Sequence, residues 1–298
     1  MLVPLRQCSM RFVVTLLLCL VAAGTLFASK ASDQVVAGNA AMERGAVDAA
    51  VDAYAKAVGL EPRNGRHHFL LGTAYGRQAQ QANPLKQAML ARKTKAAFEK
   101  AVELDPNLLE ARFALIDYFT FAPAFMGGGQ DKALAQAAEV RKRDALEGHR
   151  AYGRIYSRAK KPELAQKEYV EAVRSHPTSA KAHYYLGAFY MNEKNWKEAL
   201  HELESAVKLD PAYMVPYLRI GQLAAQSESH YPRGEEALRK YLAHKPTSDE
   251  PGHATAWFWL GMVHEKQGRK ADAKQSYTNA LKLTPESKNI KEALKRVS

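Results

Sequence analysis

Arg150, Arg154 and Arg158 recur at four-residue steps, a spacing that sets three guanidinium groups on one face of an α-helix. A guanidinium fork binds a carboxylate through two parallel hydrogen bonds, so this stripe could recognise an acidic segment, with simple solvation of a helix face as the alternative. Candidates for bond-making chemistry fail on spacing. His201-Glu202 and His264-Glu265 each supply the first half of an HExxH zinc motif without the second histidine, and surface or capping roles are expected for the ten histidines. The segment AFMGGGQD, residues 124–131, has the glycines of a phosphate loop but neither its lysine nor its serine or threonine. A corner is expected there instead, with glycines at positive φ, Phe125 or Met126 folded onto the core, and Asp131 starting the next helix. Tyr118, Phe119, Phe121 and Phe125 cluster beside Pro123; core filling is expected, with a ligand pocket as the alternative. No serine, cysteine, histidine and carboxylate stand at a spacing that marks a nucleophile and its base. An enzyme, a cofactor and a metal are therefore not expected.

The elements that position these residues follow a distinctive leader. Arg6 and Arg11 precede an uncharged, mostly apolar run from Phe12 to Ala28, and no acid occurs before Asp33. This is the layout of a secretory signal spanning residues 1–31, with cleavage after Ala31 preferred over Ala28. An uncleaved N-terminal anchor is the alternative, since the run is close to the lower limit of about 17 residues for crossing a bilayer. Export is thus expected, to the periplasm in a Gram-negative source, and otherwise as a secreted or anchored protein. Both cysteines, Cys8 and Cys19, fall in the leader, so a cleaved chain has no disulfide and depends on packing. Leu18 before Cys19 argues against a lipoprotein. The formal charge is +12, falling to +9 when Arg6, Arg11 and Lys30 leave with the leader; the chain is basic either way.

Beyond the leader the sequence repeats. AKAVGLEP, EKAVELDP, VEAVRSHP, ESAVKLDP and TNALKLTP end on Pro62, Pro106, Pro177, Pro211 and Pro285, and each proline ends a helical pattern. In a common register, glycine falls at position 8 (Gly38, Gly72, Gly153, Gly187, Gly221, Gly261) and alanine at positions 20 and 27. Large residues fill the complementary places, with Leu71, Leu186 and Leu260 at position 7 and Tyr54, Phe98, Tyr169 and Tyr277 at position 24. Polar breaks near Gly45, Lys160, Lys194 and Gly268 turn the chain back, so each unit of about 34 residues reads as a helical hairpin.

This pattern resembles the tetratricopeptide repeat family. The resemblance implies an all-α, right-handed α-solenoid of about seven hairpins over residues 32–285, with units starting near Ala31, Gly65, Leu109, Leu146, Ala180, Met214 and Ala254. A C-terminal capping helix over 286–298 is expected from Ile290, Leu294 and Val297 at helical spacing. Three units depart from the pattern. The second gains residues around QQANPLKQAMLARK, the third contains APAFMGGGQD and has Ile116 in place of glycine, and the sixth is extended around SESHYPRG and PTSDEPGH. Longer helices or hairpin ends are expected there.

In the family the resemblance points to, the first helix of each unit lines a concave face. Carried over position by position, that face would hold Arg66, Phe69, Arg77, Arg150, Arg154, Arg158, Lys181, Tyr184, Asn192, Phe258 and Met262, a basic groove with apolar contacts. The implied function is an exported interaction scaffold or assembly factor holding an extended or helical segment of another protein, acidic in character. The family's two-residue carboxylate clamp is not expected, because Asn39 is accompanied by Val35. Basic residues alternate with acids and no nucleic-acid module is present, so nucleic acid is not the expected partner. The alternative is a basic adaptor for an anionic envelope surface, polymer or nucleic acid.

Overall fold

The computed structural model describes residues 30–247 and 250–298. The leader over 1–29, with Arg6, Arg11 and both cysteines, lies outside the described residues. Among the described residues the ordered elements are helical, and none is long and apolar enough to cross a membrane. The chain divides into two units, one ending at Ala151 and the other beginning at Tyr152.

The first unit opens with α1 (residues 30–43) and α2 (Val47–Leu60). Gly45, at φ 72°, makes the turn between them. Gly38 lets them close: a Cβ there would stand 2.4 Å from the Tyr54 ring. The Tyr54 hydroxyl donates to Asn39 Oδ1 at 2.8 Å, so Asn39 ties this hairpin together. Pro62 ends the pattern and Asn64 starts α3 (Gly65–Gln81), its side chain accepting from the Arg66 amide. Asn83 caps α4 (Pro84–Leu104) in the same way, accepting from the Lys86 amide at 3.0 Å, with Pro84 in the first turn where its missing N–H costs nothing. The extra residues of the second repeat therefore lengthen helices: α3 has 17 residues and α4 has 21, against 14 in α2. α5 (Leu109–Phe121) leads into a 3₁₀ turn (Ala124–Met126) and α6 (Gln130–Arg143). Helix α7 (Ala145–Arg158) begins in the first unit and ends in the second.

The second unit continues with α8 (Pro162–Ser175), α9 (Ala180–Asn192), α10 (Trp196–Leu209), α11 (Val215–Ser227), α12 (Tyr231–Ala243), α13 (His253–Lys266) and α14 (Lys270–Leu283). Close glycine contacts recur. A Cβ would meet Tyr169 at 2.5 Å from Gly153, Leu238 at 2.2 Å from Gly221, and Tyr277 at 2.4 Å from Gly261. The final helix α15 (Lys288–Arg296) buries Ile290 and Ala293, with Val297 just beyond it, against Ala273, Tyr277 and Ala280 of α14. Arg296 also grips both oxygens of Glu265 at 2.8 and 3.0 Å.

A further regularity joins the hairpins. At three of the five repeat prolines the residue six positions later donates a side-chain N–H to the proline carbonyl. His68 Nε2 reaches Pro62 at 2.9 Å, Arg112 Nε reaches Pro106 at 2.9 Å, and His183 Nε2 reaches Pro177 at 3.1 Å. A carbonyl only accepts, so the ring nitrogen facing it carries its hydrogen. These polar side chains stand early in α3, α5 and α9 and close the linkers between successive hairpins.

Candidate partner-binding cleft

The enlarged helices of the first unit leave a cleft of about 1080 Å³ between α3, α4 and α5. From α3 come Phe69, Thr73, Gly76 and Arg77 at one-turn spacings. Ala88 and Ala91 of α4 and Ala114 of α5 leave room in the cleft because none carries more than a methyl group, while Phe98 and Phe113 add apolar surface to its lining.

One wall is the corner after α5. Phe121 and Phe125 are 67% and 83% exposed, so Phe125 does not fold onto the core; of the aromatic cluster, Phe119 alone is buried. The reason is the backbone. Pro123 halts α5, and its carbonyl accepts from the amides of Met126 and Gly128, while the Tyr118 hydroxyl holds the Met126 carbonyl at 2.9 Å. Gly128 lies so close to Ala122 that a Cβ would fall 1.7 Å from its carbonyl oxygen, and Gly127 and Gly129 take φ of 87° and 154°. The glycines thus hold a tight, specific corner that aims two phenylalanines outward. Gly129, with no capping side chain, takes the N-cap of α6; Asp131 lies in its first turn.

The charges of the cleft are mostly matched internally. Arg66 donates to Glu110 at 2.6 Å and lies 5.3 Å from the Phe69 ring centroid. Partial burial pushes the Glu110 carboxyl up, but its own backbone N–H and Arg66 outweigh that and hold it below its ordinary range. Arg150 donates to Glu147 at 2.7 Å and stacks over Phe113. Asp117 has an internal partner. Burial pushes the Tyr118 phenol up, keeping it a neutral donor. Arg77 differs: it is exposed and makes no hydrogen bond, ion pair or ring contact with any described residue.

Of the residues proposed from sequence for a groove, the first unit therefore brings Phe69, Arg77 and Arg150 into one cleft, with Arg66 beside it on Glu110 and Phe69. In the second unit, Arg154 is half-buried and Arg158 exposed on α7, and both have internal partners. Lys181 is exposed, while Tyr184 sits edge-on to Tyr213 at 5.4 Å. A separate cleft of about 770 Å³ unites Asn192 and Met262 with Trp196, Trp259 and Arg219. Phe258 belongs to the terminal core, 6.0 Å from Tyr277. Sequence reasoning missed Phe121 and Phe125 as exposed aromatics; the signal was the absence of any polar side chain from Phe121 to Met126, on both sides of the helix-stopping Pro123.

The elements the structure describes match known proteins. Tetratricopeptide repeats are matched at residues 180–213 and 254–287, and again at 35–86. A U-box domain-containing protein 70 from Oryza sativa subsp. japonica is 26% identical over 214 residues, covering 61% of this chain and 26% of its own length. The chain thus spans about a quarter of that relative. A tetratricopeptide repeat protein from Parabacteroides merdae superposes with TM-score 0.51 at 15% identity, covering 90% of this chain and 99% of its own. The human IFIT1 dimer with m7Gppp-AAAA gives TM-score 0.57 at 18% identity, over 84% of this chain and 57% of its own. At these identities the likeness is one of fold. The chain carries tetratricopeptide repeats in an all-α fold of the α-solenoid class.

Proposed function

We propose that this chain is an exported, non-enzymatic interaction scaffold that holds a segment of another protein. The observation that carries the reading is the first-unit cleft, open along three helices and bordered by two exposed phenylalanines on a fixed corner. Rigid aromatic side chains beside a concave apolar surface are the usual anchors of protein association. Tetratricopeptide repeats, whose stacked hairpins expose long surfaces, suit that role. Among the described residues no group of three or more metal-ligating side chains converges, and of the charged groups lining the cleft Glu110, Asp117 and Arg150 are engaged within the fold, which leaves Arg77 available to a partner.

Capture of partners by the tagged full chain from its native envelope, at moderate salt, tests the reading. Capture that is lost in the Phe121→Ser, Phe125→Ser double variant, with helical content unchanged, supports it; equal capture by parent and variant rejects the cleft as the binding surface. Export is tested in the same cells by fractionation and N-terminal sequencing of the mature protein. A chain that stays in the cytoplasm with Met1 intact overturns that part.

A second reading, attachment to an anionic envelope surface, polymer or nucleic acid, is favoured by the formal charge of +12. It requires affinity that collapses with salt, by roughly a thousandfold between about 50 and 200 mM for about six phosphate contacts.

A further inference from the structure

We infer, resting on the reading of the first-unit cleft as a partner site, that its occupant is a mainly apolar peptide segment bringing one carboxylate to Arg77. This sharpens, and partly reverses, the expectation of an acidic partner.

Glu110 is neutralised by Arg66 and Arg150 by Glu147, and Asp117 is engaged within the protein. Arg77 is the cation of the lining with no partner among the described residues, and it is exposed. An acidic run would meet one available guanidinium and then a surface of Phe69, Phe98, Phe113, Phe121 and Phe125, where its other carboxylates would be desolvated without compensation. A wholly apolar segment would fill the cleft and leave Arg77 unmatched. One carboxylate among apolar side chains satisfies both.

The dimensions suit a short segment. Phe69 to Gln80 on α3 spans roughly 16 Å at 1.5 Å per residue, which is about three turns of a bound helix. The wall is pre-ordered, since Gly128 and the carbonyl of Pro123 fix the corner bearing Phe121 and Phe125. Little ordering cost is left for binding to overcome.

The test uses the full chain and fluorescein-labelled 15-residue peptides with Leu and Phe at helical spacing, identical except for Glu, Gln or Lys one turn beyond the last apolar residue. The Glu peptide is expected to bind about three- to fivefold tighter than the Gln peptide, the scale of a solvent-accessible ion pair. Arg77→Gln removes that preference and Arg77→Glu transfers it to the Lys peptide, while Phe125→Ser weakens all three. Equal binding of the Glu and Gln peptides to the parent overturns the carboxylate assignment and leaves the cleft reading standing. Failure of every peptide to bind, or binding indifferent to Phe125→Ser, overturns the cleft reading itself. Sedimentation with phosphatidylglycerol vesicles in the absence of peptide binding assigns the exposed aromatics to lipid and refutes the inference; self-association lost on Phe125→Ser assigns them to a second copy, with the same result.

Discussion

Arg150 holds its guanidinium over the ring of Phe113, 4.6 Å from the centroid, while donating to Glu147 at 2.7 Å. A cation held by both a ring and a carboxylate braces the cleft, and its removal costs stability. Arg150→Ser is expected to lower stability by about 1 kcal/mol, combining a cation–π contact with a half-exposed ion pair. Arg77→Ser, which breaks no hydrogen bond, ion pair or ring contact among the described residues, should stay within about 0.5 kcal/mol of the parent. Urea denaturation of the two variants decides it: equal midpoints would contradict the different roles given to these arginines.

The repeat glycines are not equivalent. At Gly261 a Cβ would stand 2.4 Å from the Tyr277 ring, which is fully buried and bonded through its hydroxyl to Glu265. At Gly187 it would meet Leu203 at 3.0 Å, an aliphatic side chain with rotamers to use. Gly261→Ala is therefore expected to cost about 1–3 kcal/mol, as overpacking does, and Gly187→Ala clearly less. Thermal melts that rank the two in the opposite order would refute this account of the ring's rigidity.

Position 8 was readable in the sequence because the same steric demand recurs and each instance confirms the register. The turns at Gly45, Lys160, Lys194 and Gly268 were readable for the same reason, and all four take positive φ. The cleft was not readable in that way. It exists because α3 and α4 outgrow the repeat and because the Pro123 corner turns Phe121 and Phe125 outward, features that occur once and have no second copy against which to be checked. The carried-over positions found Phe69, Arg77 and Arg150, but family position alone does not reveal that Arg150 already has partners while Arg77 has none among the described residues. That distinction depends on Glu147 and Phe113, which come from different helices.

Lys160 and Lys194 occupy the left-handed region at φ 55° and 59°, where Gly45 and Gly268 stand in other hairpins at 72° and 74°. A side chain there costs roughly 1–2 kcal/mol, against roughly 0.5–1 kcal/mol of extra chain entropy lost by glycine on folding. Lys194→Gly should accordingly stabilise the chain by about 0.5–1 kcal/mol, and Gly268→Ala should destabilise it by a similar amount. A lower urea midpoint for Lys194→Gly would show that the lysine has a compensating role.

Glu235 ties α12 to α13 and to the turn that follows. Arg239 and Arg269 donate to it at 2.7 and 2.8 Å, and His264 Nε2 lies 3.5 Å away. Burial pushes this carboxyl up, but the two guanidinium donors outweigh it and pull it from 4.5 down to about 2. A carboxyl depressed in the folded state stabilises fully above its unfolded value. As pH falls from 4.5 towards 2 the unfolded chain takes up the proton first, so the contribution declines and is gone below about 2. Its size at neutral pH is on the order of 1–3 kcal/mol. Other acids also titrate here, Glu139 among them, so the informative quantity is the gap between parent and Glu235→Gln. Urea midpoints are expected to show the parent more stable at about pH 7, with the gap closing as pH falls through this window. A gap that stays constant with pH would mean that Glu235 acts through packing and hydrogen bonding, which glutamine retains in part, and not through its charge.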